Sequence, residues 1–135
     1  MTQKKFKLYP GSRKSARATA TIMQGTGRIR INKIPVEHVS PKVAMERIRT
    51  PLEIAGDVTD NINIDVVVKG GGFMGQAEAA AMAISRALVG HVRGNELRKT
   101  INEFDKHLLS GDSRTVEPKK FGGPKARRKK QKSYR

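Results

Sequence analysis

The residues whose spacing carries the most chemistry are Gly70, Gly72 and Gly75, which spell GxGxxG between an apolar run and an alanine-rich run. In a dinucleotide-binding unit such glycines admit a pyrophosphate to the N-terminus of the following helix. That unit also needs a second strand after the helix, with an acid about 20 positions on to hold a ribose. Glu96 stands at about that distance, but it opens a predicted helix, and no apolar strand lies anywhere between Val92 and the basic tail. The strand–helix–strand unit is left incomplete, so no nucleotide cofactor is expected. Two readings of residues 70–75 stay open. One is a glycine turn that closes strand against helix. The other is a row of backbone N–H groups beside Lys69 that meets a phosphate of a nucleic-acid backbone.

Other reactive patterns are missing. His38, His91 and His107 sit apart without metal-ligand spacing and read as surface or packing residues. Asp57, Asp60 and Asp65 read as a solvated loop and a strand start. Gln76 and Ala77 stand where a P-loop would need its lysine and hydroxyl. Without cysteine there is no disulfide, thiolate zinc site or thiol catalysis. No nucleophile stands with a base, so the chain reads as a non-enzyme with no cofactor and no small-molecule substrate.

Charge gives a positive signal. The 135 residues carry a formal +16. Residues 1–20 hold six Lys/Arg and no acid, and residues 114–135 hold ten against the single acid Glu117. The 93 residues between are nearly neutral, at +1. A neutral body with two basic arms is the electrostatic footprint of a nucleic-acid binder. Ordinary solubilising surfaces mix both signs. Neither arm has the apolar face of an interfacial helix, no stretch approaches a membrane span, and no apolar h-region follows the basic N-terminus. These features predict a cytoplasmic protein without a membrane partner.

The elements that position these residues follow from periodicity. Residues 1–15 show none and are assigned to the first arm. Ala16, Ala18, Ala20 and Ile22 alternate with Arg17, Thr19, Thr21 and Met23, which predicts a half-buried strand. Gly25-Thr26-Gly27 reads as a hairpin connection to a second strand over 28–32, and 34–39 as a short third strand whose Pro35 argues for an edge. Ser40 as N-cap and Pro41 at the first position predict a helix that Pro51 breaks near Thr50, with a second short helix over 51–56 and a loop over 57–61. Residues 61–69 form the most apolar strand. A helix follows over 76–89, closed by Gly90. A last helix after Asn95 has Leu97, Ile101, Phe104 and Leu108 as its inward stripe.

The resulting order predicts a two-layer α+β sandwich over 16–113, with helices on one sheet face and Arg17, Arg28 and Arg30 on the exposed face and strand ends. Residues 114–135 have too little apolar surface to offset their ordering entropy, so alone in water they are expected to be disordered. The low aromatic content removes the stacking platform of a single-strand binder. No helix-turn-helix, finger or basic-zipper pattern supports sequence-specific DNA reading. What remains is a binder of structured RNA by shape and phosphate contact, with arms that thread between helices. A general DNA-compacting protein is the competing reading.

The chain also resembles the universal small-subunit ribosomal protein S nine family in its archaeal or eukaryotic form. Five motifs in order carry the resemblance: 11–17 (GSRKSAR), 25–27 (GTG), 65–72 (DVVVKGGG), 83–89 (AISRALV) and 119–135 (KKFGGPKARRKKQKSYR). It implies a fold of three strands, helix, strand and helix with a left-handed crossover, and a ribonucleoprotein role in translation. It implies a place in the head of the small subunit, against the 3′ major domain of 16S rRNA and beside neighbouring head proteins. By position, rRNA contacts fall to Arg13, Lys14, Arg17, Lys69, Gly70, Gly71, Gly72, Lys119, Lys120, Lys125, Arg127, Arg128, Lys129 and Lys130, with Arg28 added from the sheet face. The family's tail reaches the peptidyl (P) site, where it touches the tRNA anticodon stem-loop. That role carries over to Arg135, with Lys132, Ser133 and Tyr134 beside it. Bacterial members have Ser-Lys-Arg there, so Tyr134 points away from a bacterial source.

Overall fold

The structure, a computed structural model, describes residues 6–133. Strand β2 (Ala16–Gln24) is where the alternation places it, with Ala16, Ala18 and Ala20 buried. Strand β5 (Ile62–Lys69) buries Ile62, Ile64, Val66 and Val68 on the same face and leaves Val67 exposed. These two pair antiparallel at the centre of a five-stranded sheet.

Three departures from the sequence reading concern this sheet. Residues assigned to the basic arm form strand β1 (Leu8–Arg13), antiparallel to β2. Its inward positions are Tyr9, Gly11 and Arg13, so no apolar alternation advertises it. Gly11 is buried where a Cβ would collide with the Ala79 carbonyl oxygen and lie 2.7 Å from the Ala83 nitrogen. The backbone of β1 therefore rests directly on a helix backbone, and only glycine fits.

Residues 25–27 do not form a hairpin. Strand β3 (Ile29–Ile31) runs parallel to β5, and β5 lies between β2 and β3. The glycine turn crosses over the start of β5 instead. Gly25 and Gly27 donate to the carbonyls of Asn61 and Ile62, and the Asn63 carboxamide oxygen accepts from the N–H groups of Thr26 and Arg28, each at 3.0 Å. The third predicted strand shrinks to β4 (Ile34–Pro35), at the sheet edge as Pro35 requires, and a 3-10 turn over Val36–His38 follows. Asn32 (φ 48°) and Lys33 (φ 69°) make the tight β3–β4 turn.

The chain returns from β4 to β5 through helix α1 (Lys42–Ala55) and a 3-10 helix over Gly56–Asn61. Helix α1 starts after an extended Pro41, so the Ser40 hydroxyl is not its cap. It also runs through Pro51. Proline removes one bond to the Arg47 carbonyl, but its ring is fully buried, and packing carries the helix across the gap.

Helix α2 (Phe73–His91) is longer than predicted at both ends, and Gly90 lies within it. The Tyr9 ring occupies the space a Gly90 side chain would need. Ala77, Ala80, Ala81, Ile84, Ala87 and Leu88 are all buried, as the helical spacing requires. Helices α3 (Glu96–Phe104) and α4 (His107–Ser110) replace the single last helix. Phe104, the last residue of α3, is exposed, while Ile101 and Leu108 remain buried with Ala81. The α+β class with helices on one sheet face holds, with one more strand than read from the sequence. Among the described residues no helix is long and apolar enough to cross a membrane.

Candidate nucleic-acid interface

The end of β5 and the β1–β2 turn build one cationic corner. Register places Lys69 directly opposite Arg17 and Arg17 opposite Ser12. Like charges facing across an antiparallel ladder are destabilising. Neither forms an ion pair among the described residues. Both are exposed. Lys14, at φ 53° in the two-residue turn, adds a third exposed cation.

The glycine run does structural and chemical work together. Gly70 (φ 77°) and Gly71 (φ 67°) hold left-handed backbone against the other turn, where added Cβ atoms would lie 2.7 Å from the Ser15 carbonyl oxygen and 3.0 Å from the Ala16 nitrogen. Gly72 enters α2 as an extended N-cap with no side-chain cap. The Gln76 N–H bonds the Gly72 carbonyl at 2.9 Å, and its carboxamide reaches back to Gly70 at 3.1 Å. The N–H groups of Phe73, Met74 and Gly75, in the first turn, have no intrahelical acceptor, and the helix dipole at this end favours an anion. Two shallow depressions meet at Ser15. One, of about 430 Å³, is lined by Arg17, Thr19, Val67, Lys69 and Gly70. The other, of about 270 Å³, is lined by Arg13, Lys14 and residues 71–75. Both readings left open for the glycine run are thus compatible here: the turn closes strand on helix and presents N–H groups beside cations.

The structure separates the other predicted contacts. Arg28 is exposed but sits at the opposite end of β5, since its carbonyl accepts from Ile64. Lys69 lies five residue steps along the strand from Ile64, roughly 16 Å. Arg28 lines a separate open groove of about 460 Å³ with Glu37, Arg49 and Glu53. Arg30 is held by a two-pronged bond to Asp65, at 2.9 and 3.2 Å.

Arg13 departs most from expectation. Its side chain is 15 % exposed and points inward, with Nε 2.7 Å from Glu78 and Nη2 3.7 Å from Asp112. It is a matched charge at the edge of the body, whereas Arg17 and Lys69 have no ion pair among the described residues. Its partners, Glu78 and Asp112, were not singled out by sequence reasoning. Asp112 had one signal, an acid placed just before a basic run. Arg114 bonds to the Asp112 carboxylate, and this, with the Arg114 N–H and the nearby Arg13 charge, holds that carboxyl far below the usual range. Asp112 in turn raises the Arg114 pKa.

Residues 113–133 have no helix or strand, and their basic side chains are exposed. Lys119, Lys125, Arg128, Lys129, Lys130 and Lys132 have no ion pair among the described residues. Glu117 pairs with Lys120 at 3.6 Å and Arg127 at 2.9 Å, and the Lys130 N–H closes a loop onto the Gly122 carbonyl. Phe121 is fully exposed. Ser133 is exposed, while Tyr134 and Arg135 lie outside the described residues.

Comparison with known proteins adds a coherent picture. The profile of a family described as Ribosomal protein S9/S16 matches residues 11–135. A small ribosomal subunit protein uS9 from Halobacterium salinarum is 49 % identical over 126 residues, 93 % of this chain and 96 % of that protein. One of the same description from Desulfurococcus amylolyticus is 45 % identical over 131 residues, covering 97 % and 94 %.

Proposed function

The chain belongs to the ribosomal protein S9/S16 family, structural and non-enzymatic constituents of the small ribosomal subunit, and we propose that it binds rRNA in the subunit head and extends its tail to the P-site tRNA. The observation that carries the rRNA part is the facing pair Arg17 and Lys69. Two cations opposed without a carboxylate are repelled in the free protein and relieved by a polyanion. The first-turn N–H groups of α2, which lack intrahelical acceptors, and the exposed Lys14 extend the same surface toward a phosphate run.

In this reading the body docks through that corner onto the 3′ major domain. Lys119, Lys120, Lys125, Arg127, Arg128, Lys129 and Lys130 neutralise phosphates along a stalk. Lys132, Ser133, Tyr134 and Arg135 contact the tRNA anticodon stem-loop, and neighbouring head proteins complete the site. Phosphate neutralisation with counterion release supplies the affinity. The protein works where ribosomes work, in the cytoplasm.

Co-sedimentation with small subunits at physiological salt, with release that steepens as salt is raised, tests the first half, and absence from the subunit fraction at physiological salt refutes it. For the second half, deletion of residues 132–135 should leave incorporation intact and raise the off-rate of P-site tRNA. An unchanged off-rate refutes the tail's role. Equal affinity for duplex DNA and folded rRNA in competition would favour the DNA-compacting reading instead.

A further inference from the structure

The chain leaves its folded body at Gly111 and Asp112, and that exit is tied to three other elements. Gly111 turns at φ 81° against the Met82 side chain. Arg86 of α2 donates to the Leu109 carbonyl at 2.9 Å and to the Pro10 carbonyl at 2.8 Å, strapping the end of α4 to β1. Asp112 then bridges Arg13 in parallel register, covering the open edge of β1 just before the tail begins.

The Arg13 guanidinium sits at the centre of this junction. It bonds Glu78 on α2, faces Asp112 at the exit, and donates Nη1 to the Arg114 carbonyl at 3.1 Å, inside the tail. Asp112 is 10 % exposed and accepts the Arg114 N–H as well as its guanidinium. In a chain of net charge +16 with 12 acids, two carboxylates are committed to two arginines here. A planar five-donor fork can bond two acids and a carbonyl at once, where a lysine offers a point charge. Such a part-buried, hydrogen-bonded ion cluster contributes little net stability, and its best-attested use is to specify one arrangement.

We propose that Arg13, Glu78 and Asp112 form a clamp that sets the direction in which the tail leaves the body, so that Arg13 is a positioning residue rather than an rRNA contact. The consequence for tRNA rests on the reading of the tail given above. The clamp itself is a property of the free chain.

The test uses the full chain with Arg13→Gln, Asp112→Asn and the double variant, each checked for an unchanged circular dichroism spectrum. Glu78→Gln replaces any variant that fails to fold. Trypsin cleavage after Arg114 should accelerate severalfold in each single variant. The double variant should cleave no faster than the faster single, because both changes open the same clamp. Unchanged cleavage, or effects that multiply in the double, would overturn the clamp. Arg13→Gln should also leave the salt slope of rRNA binding unaltered, whereas removing a cation that pairs with phosphate lowers it by about one unit. That lowering would return Arg13 to the RNA surface and sink the proposal. In assembled subunits the clamp variants should release P-site tRNA faster. If deletion of 132–135 speeds release and the clamp variants do not, the positioning role fails. If neither does, the tail reading fails, and the clamp stands or falls on cleavage.

Discussion

Arg17→Gln and Lys69→Gln probe whether pairing state decides which cations meet RNA. In the register of β2 and β5 the two residues face each other, which puts their Cβ atoms about 5 Å apart. Neither has a carboxylate partner among the described residues, so each can neutralise one phosphate. Each substitution should take about 0.9 off the slope of log affinity against log salt. Between about 50 and 200 mM salt, each variant's affinity should therefore change about 3.5-fold less than that of the unaltered chain, and the double variant's about 12-fold less. Arg30→Gln is the internal control. Its guanidinium is already matched by Asp65, so its slope should stay within about 0.2 of the parent. Removing one of two facing like charges relieves repulsion, so neither Arg17→Gln nor Lys69→Gln should lower the melting temperature. Unfolding then offers no alternative cause of weakened binding. Fluorescence anisotropy with a head-domain rRNA fragment, titrated at several salt concentrations, measures the slopes. The reasoning is refuted if the Arg17 and Lys69 slopes match the parent, or if Arg30→Gln lowers the slope as much.

Gly11→Ala should destabilise the fold by about 1–3 kcal/mol, since its Cβ meets helix backbone that cannot rotate away. A melting temperature unchanged in thermal denaturation would contradict this packing. Asp112 should protonate only well below the usual carboxylate range. Its pKa is depressed by Arg114 and Arg13, with Glu78 and His107 in the same pocket. The stability it adds is fully present above the unfolded value of about 3.9 and is lost progressively as pH falls from there through the depressed folded value. Carboxyl carbon NMR shifts on acidification check this, and a midpoint at the unperturbed value would contradict it.

Some of this was legible from residues alone because the physics is local. Alternation in 16–22 and 62–68 reports which face of a strand is wet, and the alanine spacing after Gly75 reports which side of a helix is buried. Charge partition along the chain needs no coordinates. The basic tail, the neutral body, the α+β class and the family motifs therefore stood in the sequence. The strand β1 did not, because its key inward residue is Gly11, whose contribution is the absence of a side chain. Nor did the strand order. A glycine turn can join neighbours or cross a third strand, and only the later arrival of β5 between β2 and β3 decides which. The same limit applies to the arginines. Arg13, Arg17 and Arg30 are equivalent as letters, each a cation in or beside a strand. Tertiary structure gives Arg13 to Glu78 and Asp112, gives Arg30 to Asp65, and leaves Arg17 facing Lys69. Whether a charge is spent inside the fold depends on partners 35 to 99 residues away, and no periodicity carries information over that distance.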